Sequence, residues 1–127
     1  MSKHVIYSSQ APAAIGTYSQ AVRSGHLVFL SGQIGLDPES MQLVEGIEPQ
    51  IEQVLNNLTN VITASGGQLD QLIRLTVYLT DLTHFELVNR ALQHRLSAPY
   101  PARAVIGVSC LPRGALVEID GIVDLTP

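Results

Sequence analysis

Arg103 stands at the head of an apolar segment running from 103 to 110, and Glu118 and Asp120 sit inside another running from 115 to 124. A guanidinium stays charged at any working pH and can grip a carboxylate with two parallel hydrogen bonds, so Arg103 suits an anion clamp. A carboxylate in apolar surroundings can position a water and move a proton, which is the chemistry open to Glu118. A structural ion pair or a solvated strand face is the competing explanation, and the local pattern favours neither.

The elements that must carry these groups follow from hydrophobic period. Residues 4–8 and 18–23 read as short strands, and Leu27-Val28-Phe29-Leu30, after the turn Ser24-Gly25-His26, reads as a strand paired with the one before it. Ile51, Val54, Leu55, Leu58, Val61 and Ile62 then fall at helical spacing, with Pro49 suited to a first turn and Gly66-Gly67 to the stop. Residues 72–80 alternate as a strand whose dry face carries Ile73, Leu75, Val77 and Leu79. Thr83 to Glu86 has the form of a capping box, with Leu82 and Leu87 placed as a staple, and opens a helix bearing Phe85, Val88, Leu92 and Leu96. The segments 103–110 and 115–124, joined by Leu111-Pro112-Arg113-Gly114, read as a closing hairpin.

The expected order is β-β-β-α-β-α-β-β, an α+β fold with two helices on one face of the sheet. If Cys110 pairs with Ala115 in the hairpin, Arg103, Glu118 and Asp120 project to one side, and Gly107, opposite Glu118, leaves room for ligand or water. In that register Glu118 is about 13 Å along the strand from Arg103. Contact between them then needs a bulge or a neighbouring subunit.

Length and composition narrow the possibilities. The 127 residues suit a single domain, 1–127. Only 14% are charged and 46% are hydrophobic, more apolar surface than one small core easily hides, so a homo-oligomer is expected. Seven scattered Lys plus Arg and a net charge of −4 make nucleic acid a poor partner. No stretch approaches the roughly 18 apolar residues of a membrane span. The start, MSKHVIYSSQ, lacks the apolar region of a signal peptide, so a cytoplasmic protein is expected. Cys110, the single cysteine, reads as a packed thiol in a strand, and His4, His26, His84 and His94 show no metal spacing.

Four blocks in order along the chain are similar to a known family. They are Ala11 to Ala21 (APAAIGTYSQA), Leu30 to Ile34 (LSGQI), Thr76 to Leu82 (TVYLTDL), and Tyr100-Pro101-Ala102-Arg103 with Leu111-Pro112 and Val117-Glu118-Ile119. Together they resemble the Rid (YjgF) family, and within it the RidA subgroup of reactive intermediate deaminases. The resemblance implies a chorismate-mutase-like fold and a homotrimer with sheets inward, helices outward and a cleft at each subunit seam. It implies hydrolysis of enamine and imine acids, 2-aminoacrylate with 2-iminopropanoate and 2-iminobutanoate, to 2-oxo acids and ammonia, with no metal or organic cofactor. By position, Arg103 would hold the substrate carboxylate, Glu118 would position or activate water, and Tyr18, Ser31, Gly32 and Asn89 would line the cleft.

On local pattern alone, Tyr18 reads as a packing aromatic at a strand start, Ser31-Gly32 as a strand end and Asn89 as a solvated helix residue. The chain departs from the family pattern at Thr17, Val105 and Glu52; Val105 replaces a frequent cysteine, and Glu52 is expected to alter subunit contacts. Two other readings stay open: a carboxylate-sensing module without turnover, and the endoribonuclease or translation-inhibitor role also attached to the family.

Overall fold

The computed structural model describes residues 3–127. Six strands, β1 (His4–Ile6), β2 (Ala21–Ser24), β3 (Leu27–Gln33), β4 (Leu72–Leu79), β5 (Ala102–Gly107) and β6 (Val117–Asp124), form a single sheet in the order β1-β2-β3-β6-β4-β5. Two helices, α1 (Ile47–Ala64) and α2 (Phe85–Arg95), complete the expected element order. Only β4 and β5 run parallel, with α2 in the connection between them, as a parallel pair requires.

The helical period of α1 buries Ile51, Val54, Leu55, Leu58, Val61 and Ile62, the six residues the spacing selects. It stops as expected: Gly66 takes φ 90°, its N–H donates to Thr63 O at 3.0 Å and Gly67 N–H donates to Ile62 O at 3.1 Å, a Schellman closure that satisfies the last carbonyls. The entry to α2 differs from expectation. Asp81, not Thr83, is the cap: its Oδ1 accepts from Thr83 N–H at 2.9 Å and opens a 3-10 turn, Leu82–His84, that leads into α2. Leu82 is left exposed rather than stapled.

The expected closing hairpin is absent. β5 ends at Gly107, and β6 inserts between β3 and β4, antiparallel to both. Burial explains the choice. Val117, Ile119, Gly121 and Val123 give β6 a wholly buried face that wants neighbours on both sides, whereas β5 is largely exposed and suits an edge. Cys110 lies beyond β5 and is exposed, not packed. A bulge between Leu72 and Arg74 shifts the start of β4, so Leu72 takes the inner place at 7% exposure and Ile73 turns outward at 46%.

The helices cover the face of Val28, Leu30, Leu75, Val77, Leu79, Ile119 and Val123. Strand alternation sends Val22, Phe29, Tyr78, Ile106, Glu118, Asp120 and Ile122 to the other face. Among the described residues no helix lies over that side, and Phe29 and Ile106 are 46% and 43% exposed there. Within the protomer Glu52 ties the helices together: Arg95 Nη2 donates to Glu52 Oε1 and to Asn56 Oδ1, each at 2.8 Å. Among the described residues no helix is long and apolar enough to cross a membrane.

Candidate functional site

Parity separates the two groups that the sequence singled out. Arg103 pairs with Leu75 and Glu118 with Tyr78. Leu75 and Tyr78 are an odd number of residues apart on β4, so Arg103 rises on the helix side and Glu118 on the open side. The expectation that Arg103, Glu118 and Asp120 share a side rested on the hairpin and falls with it. The chain therefore presents two separate candidate regions, one on each side of the sheet.

The first region surrounds Glu118. Leu30 pairs with Gly121 and Gln33 with Ile119, which leaves one extra residue on β3, a bulge at Ser31-Gly32 facing Asp120. The bulge brings Gly32 beneath Glu118, where a Cβ on Gly32 would overlap the carboxyl group. Gly32, not Gly107, is thus the glycine that makes room: a Cβ on Gly107 would come within 3.1 Å of the Leu82 side chain, on the other side of the sheet. Burial, reinforced by the nearby Asp120, raises the Glu118 carboxyl above the ordinary value of 4.5. Asp120 itself accepts a hydrogen bond from Tyr78 Oη at 3.1 Å.

A loop walls this region. Gln20, 2% exposed, clasps it from within: Oε1 accepts from Ser8 N–H at 2.7 Å, and Nε2 donates to Ser8 O at 3.1 Å and Pro12 O at 2.8 Å. The clasp holds Pro12, Ile15 and Tyr18 against a cavity of about 510 Å³ that also reaches Ser31, Gly32 and Glu118. Tyr18 sits in the loop, not at a strand start, and its Oη accepts from Ile15 N–H at 3.4 Å. Ser31 Oγ donates to Ser19 O at 2.6 Å, which keeps its lone pairs available.

The second region is at the β5 edge. Arg103 Nη1 donates to Asn89 Oδ1 at 2.9 Å, and the guanidinium lies over the Phe85 ring, 5.2 Å from its centroid. Both partners come from α2, four residues apart and so on one face. No carboxylate of the described residues lies within ion-pair distance of Arg103. Arg103 and Asn89 line a separate hollow of about 350 Å³ with Tyr100 and Leu75. Among the described residues no three His, Cys, Asp or Glu side chains gather as a metal site.

The sequence reading named Tyr18, Ser31, Gly32, Glu118, Asn89 and Arg103; the first four converge on one cavity and the last two on the other. It missed Gln20, Phe85 and Arg113, which also lines the Glu118 cavity. Phe85 had a signal: it lies four residues before Asn89 on the helix that must face β5. Gln20 had none, because its partners are backbone atoms of a loop without period.

Comparison with known proteins places these observations in a wider group. Residues 8–125 match the family model described as Endoribonuclease L-PSP. The chain is 48% identical over 125 residues to Protein DfrA of Myxococcus xanthus, covering 96% of this chain and 95% of that one. It is 42% identical to the mouse 2-iminobutanoate/2-iminopropanoate deaminase, over 94% of this chain and 90% of that one. The crystal structure of RidA from an Antarctic Psychrobacter superposes with a TM-score of 0.93 at 47% identity, covering 95% of this chain and 98% of that chain.

Proposed function

Because the chain belongs to the Rid (YjgF) family, the endoribonuclease L-PSP group, we propose that it is a hydrolytic deaminase of reactive imine and enamine acids, working as a homotrimer. Its substrates are 2-aminoacrylate, its tautomer 2-iminopropanoate, and 2-iminobutanoate; its products are the 2-oxo acid and ammonia. One observation carries the reading: an acid with a raised proton affinity and a guanidinium without an acidic partner stand on opposite faces of one protomer. Each is half of a site, and a second copy supplies the other half. The open sheet face, with Phe29 and Ile106 exposed, is the surface on which copies meet, sheets inward and helices outward.

In the assembled cleft Arg103 of one protomer holds the α-carboxylate with parallel hydrogen bonds, while Asn89 and Phe85 fix the guanidinium plane. Glu118 of the next protomer accepts a proton from water as the oxygen adds to the imine carbon. Glu118 hands that proton to the nitrogen, giving a carbinolamine; it then relays the hydroxyl proton to the same nitrogen, and the C–N bond breaks as the C=O bond forms, releasing ammonia. Tyr18, Ser31 and Gly32 shape the wall on the Glu118 side. An imine carbon is already electrophilic, so anchoring and a positioned water meet the demand. The raised Glu118 affinity makes it a better base than an ordinary carboxylate near neutral pH.

A phosphate-tracking surface, which endoribonuclease action would need, has little support. Of the seven basic side chains, Arg95 is paired with Glu52 and Arg23 is spent on its own turn, donating to Gly25 O at 2.9 Å. Mixing settles the seam. Arg103→Ala and Glu118→Ala proteins, each inactive in accelerating 2-oxo acid release from enzymatically generated 2-aminoacrylate, should recover about a quarter of wild-type activity when refolded together. No recovery from well-folded mixed oligomers sinks the shared site. A wild-type protein that does not outpace spontaneous hydrolysis sinks the deaminase. Retained carboxylate binding without turnover in the wild type would mark a sensing module instead.

A further inference from the structure

The deaminase reading leaves one cation of the Glu118 cavity unused. We infer that Arg113 selects the distal group of the substrate, so that this cleft favours 2-imino acids whose side chain ends in a second carboxylate. The inference rests on that reading for the placement of the α-carboxylate and the reacting carbon.

Arg113 takes φ 62° and Met41 takes φ 59°, both in the left-handed region that residues other than glycine seldom occupy. The two are joined across the chain: Arg113 Nη2 donates to Met41 O at 3.0 Å. Strained residues that meet at a cavity point to function there. Both line the Glu118 cavity, and the contact fixes the guanidinium at its wall. Nε and Nη1 make no hydrogen bond to the described residues, and no carboxylate of those residues lies within ion-pair distance of the group. Arg113 is not spent on Glu118 either, whose proton affinity is governed by burial and Asp120.

Size and lining complete the case. The hollow of about 510 Å³ on one protomer has room for the second copy's Arg103 head group and for more than the six heavy atoms of 2-iminopropanoate. Ile15, Leu36 and Met41 offer an apolar passage for methylene groups. A cation at the wall of such a passage fits a short aliphatic chain with an anionic end, as in a five-carbon 2-imino dicarboxylic acid. Hydrolysis is unchanged in its bonds: water adds across C=N, ammonia leaves, and the distal carboxylate keeps its own bonds. The reaction that supplies such a substrate is the oxidation of an acidic amino acid to its imine.

The test is calorimetry on the full chain with 2-oxoglutarate and 2-oxobutanoate, stable probes of the two side-chain classes, for wild type, Arg113→Gln and Arg113→Lys. Wild type should bind the dicarboxylate about tenfold more tightly, Arg113→Gln should bring the ratio near unity, and Arg113→Lys should keep part of the preference. Equal affinities in the wild type overturn the inference, as does a ratio unmoved by Arg113→Gln. A purely structural clasp would lower the melting temperature and leave the ratio alone. Turnover of 2-iminopropanoate, measured beside it, tests the deaminase reading by itself: its absence with an Arg113-dependent ratio sinks the chemistry and keeps the selectivity.

Discussion

Glu118 and Arg103 are held by opposite means. Glu118 stands on a central strand, half-buried, and its position is set by backbone devices: a bulge in β3 and a glycine with no Cβ to obstruct it. Arg103 stands on the edge strand, exposed, and its position is set by side chains of a helix. Burial tunes a proton affinity, which the acid needs; exposure and a neutral seat keep a cation available, which an anchor needs. The carboxyl is therefore built into the sheet, and the guanidinium is hung beside it.

The contrast breaks most sharply at the acid. Glu118→Gln keeps shape and removes the base, so turnover should fall about 10²–10⁴-fold while carboxylate affinity persists, read from steady-state rates and calorimetry. In the wild type, kcat/KM should fall as pH drops through the raised Glu118 value, an acid limb lying above 4.5 that Glu118→Gln lacks. Gly32→Ala comes next. The added methyl must push the carboxyl group aside, and displacement on this scale should cost about a hundredfold in kcat/KM with Arg103-dependent affinity retained.

The clamp should respond more gently. Phe85→Leu removes the ring under Arg103 and leaves Asn89, so KM should rise about threefold with kcat nearly held, as an exposed cation–π contact allows. An equal loss in kcat would move Phe85 from positioning the anchor to shaping the reacting geometry. The smallest effect is on stability. Glu118 has a higher proton affinity folded than unfolded, so its ionisation disfavours the fold as pH rises from 4.5 through the raised value. Glu118→Gln should therefore melt higher than wild type at neutral pH, and the gain should vanish below pH 4.5.

Legibility followed the same divide. Helix α1, its glycine stop and the element order were plain in the spacing, because period and termini are local. Strand pairing was not. A hairpin between 103–110 and 115–124 was the locally simplest arrangement, and nothing nearby in sequence says that β6 prefers β3 and β4. That one misplacement carried the facing of Arg103 and the role of Gly107 with it. The candidate site residues, Asn89 apart, stand in the blocks that resemble the family, while Ser31-Gly32 looked ordinary alone, since a bulge is defined only by the partner strand. Arg113 and Met41 were invisible for a related reason: their backbone angles arise from a contact between distant loops.

The central place of β6 bears on how the protein is made. It is the last of these strands to leave the ribosome, yet it alone joins the β1-β2-β3 block to the β4-β5 block. Until it docks, two hydrogen-bonding edges stay bare, and long-range pairing of this kind is slow. The nascent chain thus brings Glu118 into place in the same event that seals its sheet, and no partly synthesised protomer holds that carboxyl in its folded setting.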